Sequence, residues 1–338
     1  MSGHDDVLRQ AVAWNEEGKG VATATVVTTW GSAPRPVGSQ LAVEEGGGFV
    51  GSVSGGCIEG AVVREALEVM QDGKPRLLEF GVSNAEAWEV GLACGGTMQI
   101  YVEPWNRSPS RLDLLHRLLA DRAAKRPVVL ATNLKSGERK LLYLTEKDAD
   151  SQLMSGVRTA LREDKSGAVE GPDGRIFLNV FNPPLRMIIV GAVHITQALA
   201  PMAKLTGYEV VVVDPRRAFA TEERFPGLTL LDAWPDEAMA RLEPDGRTAV
   251  VTLTHDPKLD EPALAAALKS DAFYVGSLGS KKTHAARLER LRGEGLSEVE
   301  LARIHGPIGL AIDAETPAEI AVAVMAQVTQ ALHRAGEP

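Results

Sequence analysis

The sequence predicts a two-domain α/β protein whose second half is a doubly wound parallel sheet. Three observations carry that expectation. The chain has 338 residues, more than the about 100–200 of one ordinary domain. Asn182-Pro183-Pro184 interrupts it with the strongest proline punctuation of the sequence. Beyond that point apolar β-branched runs alternate with helical stretches, the signature of parallel strands covered on both faces. The expected domains are therefore residues 1–183 and 184–338.

In the first domain, residues 5–17 place Val7, Leu8 and Val12 on one helical face. The β-branched run 21–29 reads as a strand, which Gly31 to Gly38 (GSAPRPVG) terminates. Residues 41–43 and 49–53 read as strands around a turn at 44–48. Ser54-Gly55-Gly56-Cys57 leads into a helix over 58–70, and Cys94-Gly95-Gly96 precedes a strand over 97–103. A helix over 111–124, strands over 128–133 and 140–144, and a strand over 175–181 complete the domain. The charged stretch 145–175 reads as a loose connector plus helix.

In the second domain, strands are expected at 187–190, 208–213, 228–231, 248–254 and 272–275. Helices at 195–206, 235–242, 259–269 and 283–291 separate or follow them.

Composition narrows the function. With 36 Lys and Arg against 45 Asp and Glu, the chain carries a formal charge of −9. That argues against a nucleic-acid partner, because phosphate affinity needs clustered cations. Two cysteines rule out a disulfide framework and suit a reducing compartment. No secretory leader pattern or membrane-length apolar run is present in the sequence, so a cytoplasmic location is expected. The seven histidines lack the short spacings of a zinc site, and no metal site is expected.

Gly191-Ala192-Val193-His194-Ile195-Thr196 lies between a strand and a helix, with Asp214 closing the next strand. This is the placement of the Rossmann phosphate turn and its ribose-binding acid. Val193 and Thr196 stand where the second and third glycines belong, which weakens the case for NAD(P). Two readings stay open: a modified phosphate turn, or an ordinary strand–helix turn without cofactor. His255-Asp256 follows another strand at the sheet edge where open α/β sheets place ligands; proton relay and helix capping are both available to it. The glycine turn over 276–282 likewise reads as an anion loop or a cap.

Cys57 precedes a helix N-terminus, which can make a thiol a better nucleophile or metal ligand. Cys94 precedes glycines that permit close approach of backbone to ligand. The alternative is that each is a small buried hydrophobe in a tight turn. Arg35, between two prolines, can clamp a phosphate or remain a solvated side chain. Glu59 sits where a carboxylate complements a helix dipole.

Together these stretches resemble the XdhC/CoxI family of accessory proteins for molybdenum hydroxylases. The resemblance is carried by GSAPRPVG (31–38), GSVSGGCIEG (51–60), ACGGT (93–97), the Gly191–His194 turn, VDPR (213–216), THD (254–256), YVGSLGSKK (274–282), RIHGPIGL (303–310) and AETPAEIA (314–321). It implies an XdhC/CoxI-type α/β domain followed by a Rossmann-like domain. It also implies a cofactor-insertion chaperone rather than a metabolic catalyst. Such a protein binds molybdenum cofactor, supports its sulfuration and delivers it to a xanthine dehydrogenase-like or carbon monoxide dehydrogenase-like apoenzyme. A cysteine desulfurase and a second copy of the chain are implied as partners. On this resemblance Arg35, Gly55, Gly56, Cys57, Glu59, Cys94, Gly95 and Gly96 become cofactor-binding candidates, with Gly191, His194, Asp214 and His255 in the second domain. Family members commonly keep Gly-x-Gly-His where this chain has Gly191-Ala192-Val193-His194. The alternative function is an NAD(P)-dependent oxidoreductase that uses His255 or His194 in proton transfer.

Overall fold

The computed structural model describes residues 3–31, 33–81, 96–105, 109–145 and 151–334. The chain divides at Pro183/Pro184 into two compact units.

The first unit contains two antiparallel sheets. Helix α1 (Gly3–Glu16) precedes strands β1 (Val21–Trp30), β2 (Gln40–Glu44) and β3 (Phe49–Gly51), then α2 (Glu59–Asp72), β4 (Arg76–Phe80) and β5 (Thr97–Pro104). These strands form one sheet in the order β3-β2-β1-β5-β4. Ala22, Ala24 and Val26 of β1 face the apolar side of α2, with Val62, Ala66 and Val69. Val21 and Val27, of opposite parity, join other clusters, so both faces of β1 are buried. That explains why valine, alanine and threonine follow one another with no charged residue from Val21 to Thr29, where a half-exposed strand would alternate apolar with polar.

The second sheet follows α3 (Pro109–Ala123). It comprises β6 (Val128–Asn133), β7 (Arg139–Leu142), β8 (Gly167–Gly171) and β9 (Gly174–Phe181), ordered β7-β6-β9-β8, with α4 (Ser151–Glu163) before β8. Met154, Val157 and Leu161 of α4 pack on Val129, Leu142 and Leu178 of this sheet. Val27, Tyr101 and Phe177 join the two sheets. The stretch expected to be a loose connector is thus ordered from α4 onward. Strands β4 and β8 have no clear sequence signal: RLLEF is a half-exposed edge, and GAVEG has glycine at both ends. Pairing with β5 and β9, not intrinsic propensity, makes them strands.

The second unit is a six-stranded, all-parallel sheet. Its strands are β10 (Arg186–Val190), β11 (Glu209–Val213), β12 (Thr229–Leu231), β13 (Thr248–Thr252), β14 (Tyr274–Ser277) and β15 (Ile304–His305), ordered β12-β11-β10-β13-β14-β15. Helices α5 (His194–Leu205) and α10 (Pro317–Arg334) cover one face through Leu199, Ala203, Val324 and Val328. Helices α6 (Pro235–Leu242), α7 (Pro257–Leu268) and α8 (Lys281–Gly293) cover the other through Met239, Leu264 and Leu291. The short α9 (Glu298–Leu301) precedes β15. The sheet reverses direction of growth between β10 and β13, so the loops after those strands flank the switch-point crevice.

Candidate functional site

In the first unit the site grows from the end of β3. Gly51 has φ +91°, and a Cβ there would lie 2.3 Å from the Gln40 carbonyl oxygen; only glycine lets the chain leave the sheet at this point. The loop that follows closes on the carboxylate of Glu59, the first residue of α2. Glu59 Oε1 accepts from Ser52 Oγ (2.7 Å), Val53 N (3.2 Å) and Ser54 N (2.9 Å). Its Oε2 accepts from Gly56 N (2.8 Å) and from the Ser54 hydroxyl. Both hydroxyls also accept: Gly55 N donates to Ser52 Oγ and Ile58 N to Ser54 Oγ.

Glu59 is 7% exposed. Burial opposes its ionisation, but the hydroxyls of Ser54 and Ser52 and the Ser54 amide outweigh it and bring the carboxyl to about 2. The dipole role expected for Glu59 is therefore secondary. Its carboxylate is the resident anion of the loop, and most loop amides are spent on this internal network. What the loop offers outward is Cys57, which is exposed and free. The reading of Cys57 as a buried hydrophobe is corrected: Ile58, one residue later, takes the core position.

The loop carrying Arg35 lies alongside. Pro34 Cβ is 3.9 Å from where a Cβ on Gly55 would sit. Gly38 N donates to Val26 O (2.8 Å) and Val26 N donates to Ser39 O (2.9 Å), which ties the loop back to β1. Ala33 packs against the α2 core. Arg35 is partly buried, and its Nε is buried without a hydrogen-bond partner. Gly96 immediately precedes β5, whose Thr97 pairs with Trp30 at the end of β1 where the Arg35 loop begins. Cys94 and Gly95 lie outside the described residues.

In the second unit the turn after β10 differs from a dinucleotide turn in a defined way. Gly191 has φ +112°, and a Cβ there would meet Thr254 Cγ2 at 2.6 Å. Thr196, in place of the third glycine, is buried, and its hydroxyl donates to Gly191 O. Its polar atom is thus satisfied without opening the turn. Asp214 is fully buried. It accepts from Ala192 N (2.8 Å), Arg216 N (2.9 Å), Arg216 Nε (2.8 Å) and Arg216 Nη2 (2.7 Å). Burial disfavours its charge, yet the Arg216 guanidinium and the Ala192 amide hold the carboxyl below the usual range. The acid that would meet a ribose is saturated from within, and Arg216 stacks on Phe219 at 4.3 Å.

His194 is exposed at the first position of α5. His255 is exposed with φ +63°, and Asp256 caps α7 by accepting from Lys258 N (2.9 Å). The capping role of Asp256 is therefore filled. Thr254 instead donates through Oγ1 to Asp260 Oδ1 (2.7 Å), a contact that sequence reasoning missed because Asp260 sits among the apolar positions of a helix. Among the described residues no group of histidine, cysteine, aspartate and glutamate could hold a metal ion, and no helix is long and apolar enough to cross a membrane.

Known proteins share both units. Residues 14–81 match the model of the XdhC and CoxI family, and residues 187–328 match that of the XdhC Rossmann domain. The chain is 31% identical over 325 residues to the molybdenum cofactor insertion chaperone PaoD of Escherichia coli (strain K12), covering 96% of this chain and 87% of that protein. It is 26% identical over 332 residues to a probable xanthine dehydrogenase subunit of Bacillus subtilis (strain 168), covering 94% and 95% respectively. A crystal structure titled as a xanthine dehydrogenase from Bacillus halodurans has the same fold. Its TM-score is 0.76 at 23% identity, over 100% of this chain and 97% of that one. The chain belongs to the XdhC/CoxI family.

Proposed function

We propose that this protein is a maturation factor that holds molybdenum cofactor and inserts it into a xanthine dehydrogenase-like or carbon monoxide dehydrogenase-like molybdenum hydroxylase. The observation that carries the reading is the exposed Cys57 on a loop locked from beneath by Glu59, with the Arg35 loop beside it. It stands in a chain similar over nearly its full length to a molybdenum cofactor insertion chaperone. A thiol is a soft donor suited to a molybdenum–sulfur centre, and a guanidinium pairs bidentately with phosphate. Cys57 and Arg35 supply those two chemistries, while Gly55 and Gly56, at φ +77° and +116°, shape the backbone that presents the thiol. The same reading assigns the sulfur-loading step to a partner desulfurase and pairs the chain with a second copy of itself.

The test is reconstitution of a client hydroxylase. Cys57→Ala is expected to lower recovered hydroxylase activity at least tenfold while the melting midpoint stays within a degree or so, because the side chain is exposed. Unchanged maturation by this variant would remove Cys57 from the site.

The oxidoreductase alternative is disfavoured by the saturated Asp214. Titration of the full chain with NAD or NADP, followed by tryptophan quenching, is expected to show no saturable response at millimolar ligand. A saturating curve would restore that reading.

A further inference from the structure

The chain is acidic as a whole, with a formal charge of −9, yet one cleft in the first unit is walled by cations. Its volume is about 700 Å³, within the range of small-molecule sites. The C-terminal half of α3 contributes Arg117 and Asp121, and the link from α3 to β6 contributes Arg126 and Pro127. Tyr143 and Leu144, just past β7, close the remaining side.

Asp121 organises the floor of this cleft. It is 5% exposed, and each of its carboxylate oxygens is engaged. Oδ2 accepts from the Tyr143 hydroxyl (2.7 Å), and Oδ1 pairs with Arg126 Nη2 (3.1 Å). Arg126 N also donates to Asp121 O (2.9 Å), which fixes the backbone from which that guanidinium extends. Arg117 donates to the Tyr143 oxygen, while burial and the Asp121 carboxylate push the phenol up. Tyr143 therefore keeps its proton, and a continuous chain runs from Arg117 through Tyr143 and Asp121 to Arg126. Each guanidinium has five N–H donors in a planar fork, so one contact with the floor orients it without exhausting it. Among the described residues lining the cleft, two cations face one carboxylate, an excess of one positive charge. Leu144, 54% exposed, and the exposed Pro127 add an apolar rim beside that charge.

We propose that this cleft binds a small organic oxyanion, its charged head between Arg117 and Arg126 and its apolar body against Leu144 and Pro127. Asp121 and Tyr143 act as positioning residues that hold the two guanidiniums. The site uses none of the residues assigned to cofactor and does not depend on the role given to Cys57.

The test titrates the full chain by calorimetry with benzoate, phenyl phosphate and the neutral benzamide. The two anions are expected to bind and to compete, and the tighter of them identifies the head group. Benzamide is expected to bind at least tenfold more weakly than either anion. Arg117→Gln is expected to weaken both anions at least tenfold, because a charge-assisted contact is lost, with the melting midpoint kept because this side chain is exposed. Arg126→Gln is expected to weaken them likewise. Arg217→Gln, which removes an exposed cation paired with Asp232 in the second unit, is expected to bind both as the native chain does. The proposal is overturned if the native chain binds neither anion at millimolar concentration, if benzamide binds as tightly as benzoate, or if Arg117→Gln binds both anions as tightly as the native chain.

Discussion

Arg139→Ala is expected to destabilise the first unit by about 3–5 kcal/mol, the usual consequence of stranding a buried partner charge. Arg139 of β7 and Glu103 of β5 form an ion pair with side chains 5% and 4% exposed. Arg139 also stacks over Trp105 at 4.5 Å. The pair lines a small cavity together with polar Thr25, Gln40 and Asn179 and apolar Val27, Leu130 and Phe177. Desolvation of two charges makes such a pair a modest net stabiliser, but loss of one partner leaves the other carboxylate in a site with little access to water. Replacing both, as in Glu103→Leu with Arg139→Met, is therefore expected to recover most of the loss. Urea unfolding followed by tryptophan fluorescence reads this unit selectively, since four of the five tryptophans precede Pro183. A single-variant loss below about 1 kcal/mol would reduce the pair to the value of an exposed bridge.

Glu59→Gln has the second largest expected effect, and its pH dependence identifies the cause. The folded carboxyl lies at about 2, against an ordinary value of 4.5. A lowered folded value means the ionised form is favoured by the fold. Its contribution, about 3 kcal/mol on this difference, is present above pH 4.5 and is lost as the pH falls from 4.5 towards 2. Glutamine keeps one acceptor but places an amide donor against loop donors, so the variant is expected to lose about that amount at neutral pH. The native chain should lose stability on acidification through that window, and the variant should lose correspondingly less. Parallel acid curves for the two proteins would sink the assignment. The loop presenting Cys57 depends on this network, so cofactor handling should fall with it.

The doubly wound half was legible in the sequence because its strands are buried on both faces. Met187 to Val190 and Val210 to Val213 read as continuous apolar runs, and glycine or proline punctuates most turns. Two edge strands were illegible: residues 76–80 owe their conformation to pairing with β5, and residues 167–171 to pairing with β9 across a short hairpin turn. The site was legible as residue types but not as roles. Glu59 looks like a helix-dipole acid in sequence, and only the fold shows its side chain turning back to collect five hydrogen bonds. Asp214 likewise matches the ribose-binding acid by spacing, while its engagement by Ala192 and Arg216 depends on how the turn after β10 folds. Asp260 and Arg287 carry no sequence signal, being charged residues at helical core positions.

On the proposed function, the Cys57 loop holds molybdenum cofactor. The direct measurement is the pterin released, by fluorescence after oxidation, from the full chain purified out of cofactor-producing cells, beside Cys57→Ala and Glu59→Gln. Near-stoichiometric pterin is expected on the native chain, with a large loss in both variants. A native chain carrying no more pterin than the variants would contradict the claim.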